Sequence, residues 1–131
     1  LQEEKDYLQQ YIDLQLLRLG ESTHVNTHFE VDDPHMSIAP MLLITLVENA
    51  FKYGISPTEN CVIDIDLTAR RRILHFTVHN SHINNAVKVS SGSGLDNLRH
   101  RLDLLYPDNY TLRRRQDKDG FTVKMTIKVS V

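Results

Sequence analysis

Cysteine, tryptophan, proline and glycine are all scarce in this 131-residue chain, which has one Cys, no Trp, four Pro and five Gly. The single Cys61 cannot form an internal disulfide and leaves no cysteine pair for a zinc site, so the composition suits a reducing compartment. An excess of charge is also missing. There are 15 Lys+Arg against 17 Asp+Glu, a formal net charge of -2, with no run of more than three like charges. Nothing here generates the broad positive field that draws in nucleic acid or an anionic membrane, so neither is an expected partner. No apolar stretch approaches the roughly 20 residues needed to cross a bilayer. The opening LQEEKDYLQQ is acidic and amphipathic, not a basic signal region followed by an apolar one, so this segment is expected neither to span a membrane nor to be exported by itself. What is present is 40% hydrophobic residues, enough for one domain whose core buries roughly two-thirds of its unfolded surface.

From Leu1 to Leu19 a stripe with 3.6-residue spacing runs through Leu1, Leu8, Tyr11 or Ile12, Gln15 or Leu16, and Leu19, with Gly20 placed to end a helix. The helix starts without a capping residue, as the end of a longer helix would. His24 to Val31 alternates polar residues with Val25, Thr27, Phe29 and Val31 and reads as a strand, closed by a turn at Asp32-Asp33-Pro34. Ile38 to Tyr53 is the most apolar segment and predicts a buried helix, with Pro40 in its first turn and Gly54 just past its end. Val62 to Leu67 and Ile73 to Val78 alternate around Arg70-Arg71-Arg72, a hairpin. Tyr110 to Arg115 and Phe121 to Val129 form a second strand pair across Asp117-Lys118-Asp119-Gly120. Between the pairs come a polar loop, Asn80 to Ser93, and a helix from Leu95 to Leu105 stopped by Pro107, with Leu95, Leu98, Leu102 and Leu105 inward. This order predicts an α+β fold: a two-layer sandwich of one mixed, mostly antiparallel sheet with its helices on one face.

Two segments carry chemistry. In Val47-Glu48-Asn49-Ala50-Phe51-Lys52-Tyr53-Gly54, helical spacing puts Thr45, Asn49 and Lys52 or Tyr53 on one side, with Glu48 and Lys52 four apart. A carboxamide oxygen is a neutral hard ligand suited to Mg²⁺, a lysine offsets phosphate charge, and a glutamate can order water or accept a proton. The plainer alternative is an ordinary helix with a solvated Glu48-Lys52 ion pair. In Ser91-Gly92-Ser93-Gly94-Leu95-Asp96-Asn97-Leu98-Arg99-His100-Arg101-Leu102, glycines precede an amphipathic helix. Glycines let main chain approach a ligand closely, and the free N–H groups of a helix start favour an anion. A flexible loop end is the plainer alternative there.

Together these segments resemble the C-terminal ATP-binding domain of sensor histidine kinases, whose fold is shared with gyrase, heat-shock chaperone and MutL ATPases, the GHKL group. The LytS-type subfamily is the most similar. Ile38-Ala39-Pro40 to Gly54 resembles its N box, with ENAFKYG beside the family's ENAxKHG, and GSGLDNLRHRL resembles its second glycine box, GxGLxNxxxRL. YLQQYIDLQLLRL resembles its YLxIQxxR helix. The resemblance covers nearly the whole chain, with residues 1–20 continuing from an upstream dimerisation and phosphoacceptor region and 21–131 forming the ATP-binding domain. It implies that Asn49 is the Mg²⁺ ligand, with Glu48 and Lys52 as its polar and phosphate-facing neighbours. It further implies that Tyr53 lies near base or ribose, and that Gly92, Ser93, Gly94 and Leu95 hold phosphates at a helix start. The implied reaction is transfer of the ATP γ-phosphoryl to a histidine on an upstream helix. The implied partners are a response regulator and a second protomer of a bacterial parent anchored in the inner membrane, with this soluble part on the cytoplasmic side.

The pattern departs at one place. Where the family's first glycine box reads Asp-x-Gly-x-Gly, this chain has His79-Asn80-Ser81-His82-Ile83. Asn80 can still accept one hydrogen bond from the base through its amide oxygen, and a neutral acceptor is roughly half as strong as an ionised one. A second reading follows: a nucleotide-poor domain of the same fold that relays a signal by docking on its neighbours. A third, an ATPase outside signalling, fits less well because such proteins lack the helix pattern before the N box. The remaining signals are read structurally. None of the seven histidines matches the phosphoacceptor context. His24 with His28 and His79 with His82 lack a carboxylate or thiol partner for a metal, and His35 and His100 read as surface. Arg70-Arg71-Arg72 and Arg113-Arg114-Arg115 read as solvated charge at strand ends or edges, and Cys61 as a structural residue opening a strand.

Overall fold

The computed structural model describes residues 1–19, 22–32, 36–54, 60–81 and 93–129. In chain order its elements are α1 (Gln2–Arg18), β1 (Thr23–Val31), α2 (Leu42–Tyr53), β2 (Cys61–Arg70), β3 (Ile73–Asn80), α3 (Ser93–Leu105), β4 (Tyr110–Asp117) and β5 (Gly120–Lys128). The five strands form one sheet in the order β1-β2-β3-β5-β4. Only β1 and β2 are parallel, and α2 lies in the crossover that parallel neighbours require; the other pairs are antiparallel.

Alternation explains the layering. Ile63, Ile65 and Leu67 on β2, Leu74, Phe76 and Val78 on β3, and Val123, Met125 and Ile127 on β5 all point to one face and are buried. Their neighbours in sequence, among them Asp66, His75 and Lys124, lie on the opposite, solvent-facing side. Leu42, Leu43, Leu46, Val47 and Ala50 of α2, Leu8 and Ile12 of α1, and Leu95, Leu98 and Leu102 of α3 complete a single cluster on the buried face. The predicted two-layer α+β sandwich is therefore the observed architecture.

Several boundaries differ, each for a local reason. The second helix begins at Leu42, not Ile38, because Met41 adopts a left-handed conformation (φ 69). The Ala39 N–H donates to the Tyr106 hydroxyl at 2.9 Å, and the Pro40 carbonyl accepts from Arg101 at 2.8 Å. Pro40 thus precedes the helix and α3 holds it there. The first helix ends on Leu19 in extended conformation, its N–H bonded to the Gln15 carbonyl, and Gly20 lies outside the described residues. Asn80 is not the start of a loop; it pairs with Ile63 on one side and Phe121 on the other as the last residue of β3. Ser93 likewise is already helical, and most of the predicted polar loop, 82–92, lies outside the described residues. Leu105 is 49% exposed, because the helix stops there and Tyr106 packs on the core instead. Of the turn at Asp32-Asp33-Pro34 only Asp32 is described.

The hairpins use different chemistry. Arg71 and Arg72 (φ 50 and 68) form a two-residue turn between the paired Arg70 and Ile73, the handedness that suits strand twist although neither is glycine. Arg70 is fixed by Glu30 at 2.8 Å. In the other hairpin the Asp117 carboxylate accepts the Asp119 N–H at 2.9 Å. Arg113, Arg114 and Arg115 lie on β4, an edge strand, as the solvated-charge reading expects.

Candidate functional site

Helix α2 is buried on nearly every side, and its polar residues fall in one strip. Thr45 and Asn49 are half-buried, while Glu48 and Lys52 are exposed. Thr45 Oγ1 donates to the Met41 carbonyl at 2.7 Å, which leaves the strip's chemistry to the last two turns. Glu48 forms no ion pair among the described residues, so the Glu48-Lys52 pair is not formed; its charge acts instead on Tyr11 of α1. The Tyr11 ring meets Phe51 edge-on with centroids 5.7 Å apart. Burial first, then the Glu48 carboxylate, pushes the Tyr11 hydroxyl above the ordinary phenol range, with Arg18 opposing. Of Tyr53 only the backbone, in the last turn of α2, is described.

Just past that turn, Gly54 touches the end of β3. A Cβ on Gly54 would stand 2.7 Å from the Asn80 Cβ and 2.6 Å from the Ala50 carbonyl oxygen. From the other side Gly120, at φ +126, leaves so little space that a Cβ there would be 2.1 Å from the Asn80 carbonyl oxygen. Asn80 is 3% exposed, and with Thr23 it is one of two buried polar side chains among the described residues. Ser81 fixes the next position, its N–H donating to the Val62 carbonyl at 2.9 Å and its hydroxyl accepting from the Val62 N–H at 2.9 Å. The departure from the first glycine box is therefore an anchored strand end. The sequence offered Gly54 only as a helix stop and Gly120 only as a turn residue; their convergence on Asn80 needed the β3–β5 and α2–β3 packing to be seen.

The third component is the start of α3, which packs against α2. Ser93 and Gly94 form its first turn, described here by backbone alone, and Gly92 lies outside the described residues. Leu95 is 6% exposed in the core cluster, so what it can present to a ligand is its backbone N–H. Arg99 donates to the Leu112 carbonyl at 2.7 Å and ties this helix to β4. Behind its first turn lies a cavity of about 50 Å³ lined by Leu95, Asp96, Arg99, Leu112, Arg114 and Val123. That is far below the roughly 300–1,000 Å³ of small-molecule pockets. A broader depression of about 560 Å³ bordered by His79, Arg113, Arg115, Thr122 and Lys124 lies on the solvent side of the sheet, remote from the α2 strip.

The donor types fit Mg²⁺ and a nucleoside triphosphate: a half-buried carboxamide, a lysine one turn further along α2, the N-terminal end of α3 and a buried amide at the end of β3. No group of three or more His, Cys, Asp or Glu among the described residues could hold a metal ion by itself. His24 and His28 stand exposed on the solvent face of β1, His100 is exposed on α3, and His35 and His82 lie outside the described residues.

The fold is a two-layer sandwich whose central helix, α2, carries a polar strip and packs against α3. Solved structures share this fold, and sequence relatives share part of the sequence. The chain superposes on the histidine kinase domain of the Erythrobacter litoralis EL346 blue-light activated histidine kinase with TM-score 0.59 at 15% identity, over 83% of this chain and 52% of that one. It superposes on the nucleotide-free catalytic domain of histidine kinase ThkA with TM-score 0.53 at 21% identity, over 79% of both chains. ThkA in complex with the response regulator TrrA matches at TM-score 0.57 and 20% identity, over 98% of this chain and 40% of that one. In sequence, the sensor protein kinase HptS of Staphylococcus aureus is 34% identical over 91 residues, 70% of this chain and 17% of that protein. No family profile matches the chain. The chain is thus a homologue of sensor histidine kinases and has the fold of their catalytic domains. No helix among the described residues is long and apolar enough to cross a membrane.

Proposed function

We propose that the chain is the ATP-binding catalytic domain of a LytS-type sensor histidine kinase. Its parent would be a membrane-anchored bacterial homodimer that transfers the γ-phosphoryl of ATP to an upstream histidine and answers to a response regulator. The observation that carries this reading is the joining of three polar features on the helical face of one sheet: the Asn49–Lys52 strip, Asn80 between Gly54 and Gly120, and the start of α3. In this reading Asn49 offers its amide oxygen to Mg²⁺, which when bound would neutralise phosphate charge. Lys52 faces the phosphates, and Glu48 orders water at the rim. Tyr53 and Asn80 meet the nucleoside, while the backbone of Gly92, Ser93, Gly94 and Leu95 cradles the phosphates. Catalysis of this kind rests on positioning and charge neutralisation.

Helix α1 supports the dimeric part of the reading. Its domain-facing side carries the buried Leu8 and Ile12, yet Tyr7, Leu14 and Leu17 are 47%, 66% and 84% exposed. Glu3, Tyr7, Gln10, Leu14 and Leu17 follow alternating steps of four and three, the seam of a two-stranded coiled coil. A parallel partner helix would bring Asp13 of one copy against Arg18 of the other, so the seam is the surface through which residues 1–20 join the dimerisation region.

The direct test is calorimetric titration of the chain with ATP and magnesium. Magnesium-dependent binding is expected, weakened at least about tenfold by Asn49→Ala, the size of one charge-assisted contact. Unchanged affinity would remove Asn49 from the site. Absence of both heat and thermal stabilisation at millimolar nucleotide would instead favour the signal-relay scaffold, since a ligand that binds the native state raises its stability by mass action.

A further inference from the structure

We propose that the outer edge of β1 is an interface between two copies of this chain, which join by antiparallel pairing of β1 with β1 into one continuous sheet. The contact requires neither a nucleotide nor the seam on α1.

The two edges of the sheet are built differently. On β4 the exposed Arg113, Arg114 and Arg115 keep another strand away, as charge on an edge does. β1 contains no lysine, arginine or proline, and its pairing with β2 runs without a bulge from Thr23–Cys61 to Val31–Ala69. Among the described residues it has a strand on one side only. Which of its backbone groups are open follows from the ladder. The Ser22 carbonyl accepts from the Cys61 N–H at 2.8 Å, and the Asp32 N–H donates to the Ala69 carbonyl at 2.9 Å. Alternate residues of a parallel pair turn both polar groups to the same neighbour, so the even-numbered residues face β2. The N–H and C=O groups of Thr23, Val25, Thr27, Phe29 and Val31 therefore point away from the sheet. The side chains of Val25, Phe29 and Val31 are only half-buried against the core, so the edge leaves apolar surface uncovered as well.

The strand complements itself about Thr27. An antiparallel copy centred there sets Thr27 opposite Thr27, Val25 opposite Phe29 and Thr23 opposite Val31. Every outward N–H and C=O then meets an outward partner, and the apolar side chains meet on the helical face. On the solvent face Asn26 stands opposite His28, and Glu30, the one carboxylate of the strand, stands opposite His24. Glu30 already accepts from Arg70 at 2.8 Å and meets His28 at 3.2 Å. A carboxylate has about four acceptor sites, which leaves lone pairs for His24 of the second copy. A slip of one residue would set outward groups against inward ones and exchange the two faces. The contact is isologous, with its two-fold axis perpendicular to the sheet at Thr27. A parallel seam on α1 has its axis along the helix, so the two contacts are different and substitutions separate them.

Sedimentation equilibrium of the chain tests the pairing. A strand pair is a small interface, so a reversible monomer–dimer equilibrium with a midpoint between about 10 μM and 1 mM is expected. Thr27→Pro deletes the central outward N–H, which β2 does not use, and Thr27→Lys puts like charges on the axis. Each is expected to weaken the dimer at least about tenfold. Under mild oxidation Thr27→Cys is expected to cross-link, because the Cα atoms of such a pair lie about 5.5 Å apart. His24→Cys, about 20 Å from its own copy, is not. The native Cys61 is buried and leaves the readout clean. A chain that stays monomeric at about 1 mM overturns the inference and leaves the edge to a strand of another protein or to none. A dimer unmoved by Thr27→Lys, one abolished by Leu14→Glu with Leu17→Glu, or cross-linking through His24→Cys in preference to Thr27→Cys overturns it equally. Should Thr27→Pro not fold, Thr27→Lys and the two cysteine variants decide.

Discussion

Gly54→Ala probes the contact on which the candidate site turns, and its sign is the reverse of what the backbone alone suggests. Gly54 sits at φ -99, ψ 7, a conformation open to alanine. On backbone entropy the substitution would stabilise by about 0.4–1 kcal/mol. The added methyl, however, would lie 2.6 Å from the Ala50 carbonyl oxygen and 2.7 Å from the Asn80 Cβ, neither of which is the loose end of a flexible side chain. Forcing a methylene into a packed core costs about 1–3 kcal/mol, so a net loss of about 1–2 kcal/mol is expected. With an unfolding entropy of about 2.1 cal/mol/K per residue, a chain of this length should melt about 4–7 °C lower. Circular dichroism melts without nucleotide measure this. The pair Gly54→Ala with Asn80→Gly removes the facing Cβ and should recover part of the loss relative to Asn80→Gly alone. A Gly54→Ala chain melting at or above the wild type would show that α2 and β3 are not in the contact described, and the cradle around Asn80 would go with it.

Tyr11 and Tyr110 both have hydroxyls held above the usual phenol value, the first chiefly by burial and the second chiefly by donating to Asp103. The native state therefore keeps these protons more firmly than the unfolded chain does. Their contribution to stability is complete below about pH 10 and is lost as pH rises through the raised native values. Urea titrations between pH 8 and 11 should show a fall that is shallower in Tyr11→Phe; an unchanged slope would refute the burial of that hydroxyl against α2. At the α1 seam, Leu14→Glu with Leu17→Glu alters two exposed side chains and should leave the melting of this chain within about 0.5 kcal/mol of wild type. In the parent protein the same pair should shift sedimentation equilibrium from dimer toward monomer, and an unaffected dimer would assign the stripe to another role.

What the sequence disclosed and what it hid follow from the range of the interactions involved. The strands β2, β3 and β5 were readable because one face is dry and the other wet, so every second residue reports its side. Helices α2 and α3 announced themselves by apolar spacing, and the resemblance of ENAFKYG and GSGLDNLRHRL to the N box and second glycine box agrees with the kinase homology found. The start of α2 was misplaced because Pro40 is equally at home in a first helical turn and in the extended segment before one. The deciding bonds, Arg101 to Pro40 and Tyr106 to Ala39, come from residues more than sixty positions away. Helix α1 was legible on one side only: its buried stripe was visible, but Tyr7, Leu14 and Leu17 form a second stripe that makes sense only once the first is seen to be covered by the domain. Asn80 shows the same limit from the functional side. In sequence it is a missing aspartate followed by missing glycines, and the natural inference is a weakened site. In the fold Gly54 at the end of α2 and Gly120 at the start of β5 both approach Asn80 more closely than any residue with a Cβ could. Enclosed by two glycines and two strand partners, Asn80 is a buried and ordered strand end, which residues 79–83 read alone do not announce.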